Sequence, residues 1–207
     1  MAVDLPSLVQ PWRTAVVTSE IQKGVIGDGA ALPALAEIAR TTMVPALARL
    51  VKAARGAGVE VVHATFARRP DGKGANTNAR LFHGVEKSPV KLLPGTPATQ
   101  VIDEVGVQPT DIVLTRTHGL NPISGTDLDP LLRNLGVTTI IPVGVSVNIA
   151  ITNLVMEAVN RGYDVVLPRD AVCGLPADYA DAVIDNTLAL LASVTTVDEL
   201  VAIWEAA

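Results

Sequence analysis

Short runs of β-branched and other apolar residues alternate along the chain with segments of helical periodicity. The apolar runs predict strands at residues 14–18, 59–64, 111–115, 138–143, 163–168 and 193–195. Apolar positions at helical spacing predict helices between them, among them 44–54, 149–161 and 178–191. This alternation continues without a break in composition, so it predicts an α/β fold with a doubly wound, mostly parallel sheet.

The central stretch, residues 138–158, reads TTIIPVGVSVNIAITNLVMEA and predicts a buried strand, a tight turn and the start of a helix. The turn occupies residues 144–148. Backbone N–H groups at a helix start have no partner within the helix and favour a carboxylate or a developing oxyanion. The sequence therefore predicts a functional site at this turn.

With 207 residues and 49% apolar content, the chain can bury one full core, and we expect a single domain. Residues 1–12 are predicted to form an N-terminal arm. Residues 67–99 are rich in Pro, Gly, Lys and Asn and exceed the length of an ordinary connection. They are predicted to cover the sheet edge or an interface.

The formal net charge is −5, and the arginines are scattered rather than clustered. Nucleic acid and anionic membrane surfaces are therefore not expected as partners. Apolar runs are interrupted well before the ~20 residues that a membrane-spanning helix needs. The opening residues do not resemble a signal peptide, and the one cysteine excludes an internal disulfide, so a cytoplasmic location is predicted.

Candidate polar residues follow the predicted strands at the edge where α/β sheets bind ligands. Glu20 comes after the first strand, and Arg116, His118 and Asn121 come after the third. Glu20 could instead cap a helix, and Arg116 could form a surface salt bridge. His63, near the end of the second strand, is interpreted either as a pocket residue or as a histidine hydrogen-bonded beneath a loop.

Other catalytic classes are not supported by the spacing of residues. The turn around Ser146 departs from G-x-S-x-G because Asn148 replaces the second glycine, and all three histidines precede the serine. Cys173 is expected to be a buried, unreactive residue. The histidines show no H-x-H or H-E-x-x-H spacing, so neither a metal nor another cofactor is predicted.

Three segments, AVVTSEIQKG, VLTRTHGLNPISGTDLDPLLRNLGVTTIIPVGVSVNIAI and EAVNRGYDVVLPRDAV, resemble the isochorismatase-like hydrolases, also called the cysteine hydrolase family. The resemblance extends from residue 14 to about residue 196. It implies a single-domain, Rossmann-like, three-layer α/β/α fold with a six-stranded, mostly parallel sheet. It also implies a homodimer or homotetramer, and a cis peptide bond between Val145 and Ser146.

The usual catalytic set of this family is an Asp, a Lys and a Cys. The resemblance places Glu20, Arg116 and Ala150 at these positions, so all three differ from the usual residues. Alanine has no lone pair with which to attack a carbonyl group, which excludes a thioester route through residue 150. The family's isochorismatases also lack this cysteine and are understood to cleave a vinyl ether by proton transfer from the Asp.

We therefore expect a hydrolase that acts without a cysteine on a small carboxylated molecule, cleaving a vinyl ether or, with water, a C–N or C–O bond. Glu20 is the predicted acid or base, and Arg116 is the predicted anion clamp. Trp12 or Phe66 is predicted to form an apolar wall. The predicted substrate-binding residues are Gln22, His118, Asn121, Ser146 and Asn148.

The alternative hypothesis is a catalytically silent family member that binds a ligand or acts through an oligomeric interface. An open cavity that joins Glu20, Arg116 and Ala150 would favour an enzyme or a ligand-binding protein. A pocket filled by side chains would favour a structural role.

Overall fold

A computed structural model describes residues 4–206. Within this range the chain forms a seven-stranded sheet. The strands are β1 (Thr14–Ser19), β2 (Glu60–Phe66), β3 (Ile112–Arg116), β4 (Thr139–Val145), β5 (Asp164–Pro168), β6 (Val172–Cys173) and β7 (Ser193–Thr195).

The α-helices lie between the strands and at the two ends of the described range. They are α1 (Leu5–Leu8), α2 (Lys23–Ile26), α3 (Pro33–Ile38), α4 (Val44–Ala57), α5 (Arg80–Lys87), α6 (Leu128–Asn134), α7 (Thr152–Asn160), α8 (Ala177–Asn186) and α9 (Val197–Glu205).

The strand order is β3-β2-β1-β4-β5-β7, and the two-residue β6 pairs beside the end of β4. Every strand pair in this sheet is parallel. The predicted α/β fold is thus confirmed, with β6 as a short addition to the six-strand path. The direction in which the chain progresses through the sheet reverses between β1 and β4, which is where open α/β sheets bind their ligands.

Helices cover both faces of the sheet because alternate strand residues point to opposite sides. Val16 of β1 is buried in one apolar cluster, together with Leu47 of α4 and Trp204 of α9. Its neighbour Val17 is buried in the other cluster, together with Leu154 of α7. The molecule therefore has the predicted three layers.

The register of the central strands brings their carboxyl ends to one level. Ser19 at the end of β1 lies beside Ala64 of β2 and Gly144 of β4. Phe66 at the end of β2 lies beside Arg116 at the end of β3. The residues that follow these four strands consequently meet at one edge of the sheet.

Some boundaries differ from the prediction. The helix expected at 178–191 ends at Asn186, and a 3₁₀ turn, Leu188–Leu190, follows it. The helix expected at 149–161 is preceded by a π-helical turn, Val147–Ile151. The first three residues of the predicted arm lie outside the described range, and α1 and a 3₁₀ turn, Pro11–Arg13, occupy the rest.

Among residues 4–206, we find no helix with the length and apolarity needed to cross a membrane.

Candidate active site

A cavity of about 530 Å³ opens at the carboxyl ends of the central strands. Five of the predicted site residues line it: Glu20, Arg116, Ser146, Asn148 and Ala150. They come from the segments after β1 and β4 and from the end of β3, so the switch point between β1 and β4 brings them together. The cavity lies in the size range of roughly 300–1,000 Å³ typical of ligand pockets.

Glu20 is the first residue after β1 and has a φ of 54°. Positive φ is uncommon for residues other than glycine. The backbone N–H of Glu20 donates a hydrogen bond to the carbonyl oxygen of Ala64 (3.2 Å), which ties this conformation to β2. The side chain remains 26% exposed and forms an ion pair with Arg116. This backbone conformation therefore places a carboxylate at the cavity wall.

Arg116 ends β3, and its side chain is only 3% exposed. The guanidinium carbon lies 5.3 Å from the centre of the Phe66 ring, within the distance of a cation–π contact. Nη2 donates to Glu20, whereas Nε and Nη1 are buried without an acceptor among the residues that the structure describes. A buried cation with unused donors favours an added anionic acceptor.

The turn after β4 requires glycine at its start. Gly144 has a φ of 105°, and a Cβ atom there would lie 2.4 Å from the carbonyl oxygen of Ser19. The Val145–Ser146 peptide bond is cis, as the family resemblance implied. The π-helical turn that follows carries Ala150, which is 4% exposed, at the cavity wall. A methyl group thus stands at the position that the family resemblance assigned to the nucleophile.

Asn148 adds a polar group to the same turn. Its Nδ2 donates weakly to the carbonyl oxygen of Leu175 (3.4 Å). Its Oδ1 is buried and has no donor within the described part of the chain. Asn148 thus lines the cavity while its oxygen lies buried beside Gly174.

Helix α5 forms an apolar wall that the sequence prediction missed. Leu81, Phe82 and Val85 lie at positions i, i+1 and i+4 of this helix and line the cavity. Leu32 and Leu35, at the start of α3, line it as well. The spacing of apolar residues at 81, 82 and 85 could have identified this helix, but it stands in a polar, glycine- and proline-rich segment.

The wall beside α5 carries positive charge. Arg68, Lys87 and Lys91 line the cavity there. Arg68 forms a long salt bridge with Glu86 (3.5 Å), and the Lys91 ammonium donates to the backbone carbonyl of Glu86. Among the described residues, Glu20 is the one acidic side chain that lines the cavity. The electrostatic field of the cavity therefore favours an anionic ligand.

Gln22 was predicted to bind substrate, but the structure places it beneath the site. It is fully buried, and its side-chain amide donates to the carbonyl oxygens of Phe66 (2.9 Å) and Thr99 (3.0 Å). Its Oε1 accepts a hydrogen bond from the Phe66 N–H (2.8 Å). These bonds occupy the amide, so Gln22 positions Phe66, the residue on which Arg116 packs.

His118 and Asn121, also predicted to bind substrate, do not line the main cavity. His118 is exposed and lines a small neighbouring depression beside Gly119. The Asn121 amide donates to Asn153 (2.8 Å), while its oxygen accepts from the Ile123 N–H (2.7 Å). The hydrogen bonds of Asn121 therefore hold the loop after β3 against α7.

Of the two predicted wall residues, Phe66 lines the cavity and Trp12 does not. Trp12 is 72% exposed and precedes β1, at the opposite edge of the sheet. Its aromatic character suggested a pocket wall, but chain order places it at the amino ends of the strands. The prediction for Trp12 is therefore wrong.

His63 lies inside the protein, in a hydrogen-bonded network. Its Nδ1 lies 3.0 Å from the Thr18 hydroxyl, and its Nε2 lies 3.3 Å from the Asp111 carboxylate, which Arg55 also binds. Burial lowers the pKa of His63 below its ordinary value of 6.5, although Asp111 opposes this effect. Burial alone would raise the pKa of Asp111, but hydrogen bonds from Arg55 and Gln108 lower it. Of the two interpretations, the structure supports the buried histidine.

Two alternative kinds of chemistry find no support at the site. Cys173 is buried, and burial raises the pKa of its thiol to about 12, so it is a poor nucleophile at neutral pH. Within residues 4–206, the structure has no cluster of three or more His, Cys, Asp or Glu side chains suited to a metal ion.

Comparison with known proteins gives a consistent result for the whole chain. The sequence profile described as "Isochorismatase domain" matches residues 14–199. Ureidoacrylate amidohydrolase RutB of Rhizobium rhizogenes is 25% identical over 211 residues, covering 95% of this chain and 85% of the relative. N-carbamoylsarcosine amidase of an Arthrobacter species is 24% identical over 133 residues, covering 63% of this chain and 49% of the relative.

Solved structures show the same similarity. A cysteine hydrolase from Pseudomonas syringae has a TM-score of 0.80 and 26% sequence identity, covering 96% of this chain and 95% of that chain. An isochorismatase family protein from Burkholderia thailandensis has a TM-score of 0.76 and 27% identity, covering 94% and 96%.

Proposed function

The chain belongs to the isochorismatase family of hydrolases, and we propose that it hydrolyses a carboxylated small molecule by direct attack of water, without a covalent enzyme intermediate. The observation that carries this proposal is the Glu20–Arg116 ion pair at the wall of a cavity that also contains Ala150. The open cavity also favours an enzyme or ligand-binding protein over a purely structural role.

Water is the nucleophile in this proposal because Ala150 cannot attack a carbonyl group. Glu20, as the ionised partner of Arg116, is a hydrogen-bond acceptor and can remove a proton from water. Cleavage of a vinyl ether would instead begin with a proton donated by Glu20. The ion pair therefore favours water-mediated cleavage of a C–N or C–O bond.

Each proton in the proposed reaction has a defined source and destination. Glu20 takes one proton from water as the water oxygen bonds to the carbonyl carbon of the substrate. The bond from this carbon to the leaving nitrogen or oxygen then breaks, and the leaving group receives the proton from Glu20. The products are an acid and an amine or alcohol, and Glu20 ends as the carboxylate with which it began.

Arg116 is proposed to bind the substrate carboxylate. Arginine remains charged at neutral pH and presents several donors in one plane, which suits it to binding a carboxylate rather than to transferring protons. The name of the relative RutB supports this substrate class, since ureidoacrylate contains both a carboxylate and a ureido group with C–N bonds. Asn148, which also lines the cavity, is proposed to help orient the substrate.

The test is hydrolysis of a panel of carboxylated amides, ureides and esters by the wild type and by Glu20→Gln. Loss of a general base typically lowers the rate by about 10²–10⁴-fold, and we expect a decrease of this size in kcat/KM. Glu60→Gln is the matched control because Glu60 begins β2 at the opposite end of the strands. Turnover of the panel by Glu20→Gln at the wild-type rate would contradict the proposed mechanism.

A further inference from the structure

The cavity exposes apolar side chains that the fold itself does not cover. Leu32 is 53% exposed, Leu81 40%, Val85 37% and Leu175 41%, and all four line this one cavity. Apolar surface left in contact with water is unfavourable by roughly 25 cal/mol per Å² relative to its burial. A ligand with an apolar body would cover these side chains and gain affinity from doing so.

Helix α5 has the character of a ligand-facing wall. None of its eight residues, all of them described, is buried, although Leu81, Phe82 and Val85 line the cavity. These side chains therefore remain partly exposed at the wall of the open cavity. An apolar ligand would convert that space into a packed interface.

The charges of the cavity are arranged at two levels. Arg116 lies at the sheet edge and is 3% exposed at its side chain, whereas Arg68, Lys87 and Lys91 stand beside α5. Lys87 and Lys91 are exposed to solvent, so their attraction for an anion is screened and mainly assists its approach. The buried guanidinium is consequently the stronger anchor for a carboxylate.

From these features we infer that the substrate is an amphipathic carboxylate, whose charged group binds Arg116 and whose bulky alkyl or aryl body lies against α5. This inference rests on the proposed function, since it assigns the same carboxylate to Arg116. It adds that affinity grows with the apolar size of the ligand. A cavity of about 530 Å³ has room for such a body beyond the reacting group.

The inference is tested by calorimetric titration with sodium butyrate, hexanoate and octanoate, and with octanamide as the uncharged counterpart of octanoate. Each buried methylene contributes about 0.8 kcal/mol, so affinity should rise about fourfold per methylene along the series. We expect octanoate to bind more tightly than octanamide. Arg116→Met should abolish this preference, and Arg116→Lys should restore part of it.

The role of the α5 wall is tested by combining Leu81→Asn with Val85→Thr, two changes of similar size at partly exposed positions. The double variant should lower the gain to less than about twofold per methylene along the series. Leu190→Asn is the matched control, since Leu190 is 82% exposed and is not part of the cavity wall. It should bind the series as the wild type does.

The outcomes separate the inference from the proposed function. Binding that requires Arg116 but does not increase with chain length would overturn the inference and leave the proposed carboxylate site intact. Carboxylate binding unaffected by Arg116→Met would contradict the proposed site itself. No binding of any member at millimolar concentration would also overturn the inference. The inference would likewise be overturned if the double variant changed the sedimentation coefficient but left the affinities as they were. That result would mean that a second copy of the chain, and not a ligand, covers the α5 wall.

Discussion

At the scale of single residues, the proposed chemistry rests on three side chains. In that proposal Glu20 supplies an acceptor, Arg116 supplies buried positive charge, and Ala150 excludes the covalent route. Because Glu20 and Arg116 are paired, a ligand carboxylate must share the guanidinium with an enzyme carboxylate. Two such groups can share it because guanidinium presents several N–H donors.

The turn should still activate a nucleophile if one is placed there. Ala150→Cys puts a thiol at a helix start beside the cavity, where unpaired N–H groups lower thiol pKa values. We expect iodoacetamide at pH 7 to label this variant at least about tenfold faster than the wild type, whose only cysteine is buried.

The same labelling should persist in the double variant Ala150→Cys/Cys173→Ala, in which the introduced cysteine is the one thiol left. The mass of the labelled peptide then confirms the site of labelling. A labelling rate equal to that of the wild type would show that the turn no longer supports a nucleophile.

Single residues were predicted from the sequence when chain position alone decided their place. Glu20 and Arg116 follow strands whose carboxyl ends meet, so position was sufficient. Gln22 and Asn121 have the right chemistry in the right segments, but their amides bond to the protein itself. Which partner an amide chooses depends on loop geometry that local sequence does not encode.

At the scale of secondary-structure elements, the turn after β4 and the long segment of residues 67–99 after β2 both contribute walls of the cavity. The apolar strands were predictable because a parallel sheet buried on both faces requires continuous apolar runs. Helix α5 was not predicted, because it lies over a cavity and so shows only three apolar positions. A short helix without a buried core face gives little periodicity in sequence.

Glycine has opposite roles in two of these elements, which mutation to alanine should separate. Gly144→Ala places a Cβ atom 2.4 Å from the Ser19 carbonyl oxygen at a φ of 105°, so we expect a loss of about 2–5 kcal/mol in unfolding free energy. Gly56→Ala, on the exposed side of α4 with open space around it, should stabilise the protein by about 0.5–1 kcal/mol.

Urea unfolding monitored by circular dichroism measures both changes. Equal effects of the two alanines would show that the close approach of β1 and β4 at Gly144 does not constrain the fold.

At the scale of the whole molecule, β1, β2, the segment before β3 and α4 are linked by the buried network of Thr18, His63, Asp111 and Arg55. An ionised Asp111 can only accept, so His63 Nε2–H donates to it and Nδ1 accepts from the Thr18 hydroxyl. Burial is what favours the neutral form of His63, because the hydrogen bond to Asp111 acts in the opposite direction. The oligomeric state and the cellular compartment of the protein stay predictions.

This network predicts how stability depends on pH. The folded protein holds the pKa of His63 below 6.5, whereas in the unfolded chain it returns to about that value. As the pH falls below about 6.5, the unfolded chain binds more protons, so this residue lowers the unfolding free energy by up to about 1.4 kcal/mol per pH unit. Above that pH, the contribution is constant.

Urea unfolding between pH 5 and pH 8 should show this loss in the wild type. His63→Gln should remove it, although the variant is less stable at every pH. His83→Gln, at an exposed position on α5, should keep it. A stability profile that is the same in the wild type and in His63→Gln would disprove the linkage.

The central claim is that the cavity beside Ala150 binds a carboxylate between Arg116 and the α5 wall, and a crystal structure of the protein with octanoate tests it most directly. The predicted result is a carboxylate within hydrogen-bonding distance of the Arg116 guanidinium, about 2.7–3.2 Å, and an alkyl chain against Leu81 and Val85. A carboxylate bound instead to Lys87 or Lys91, with Arg116 still contacting Glu20 alone, would contradict it.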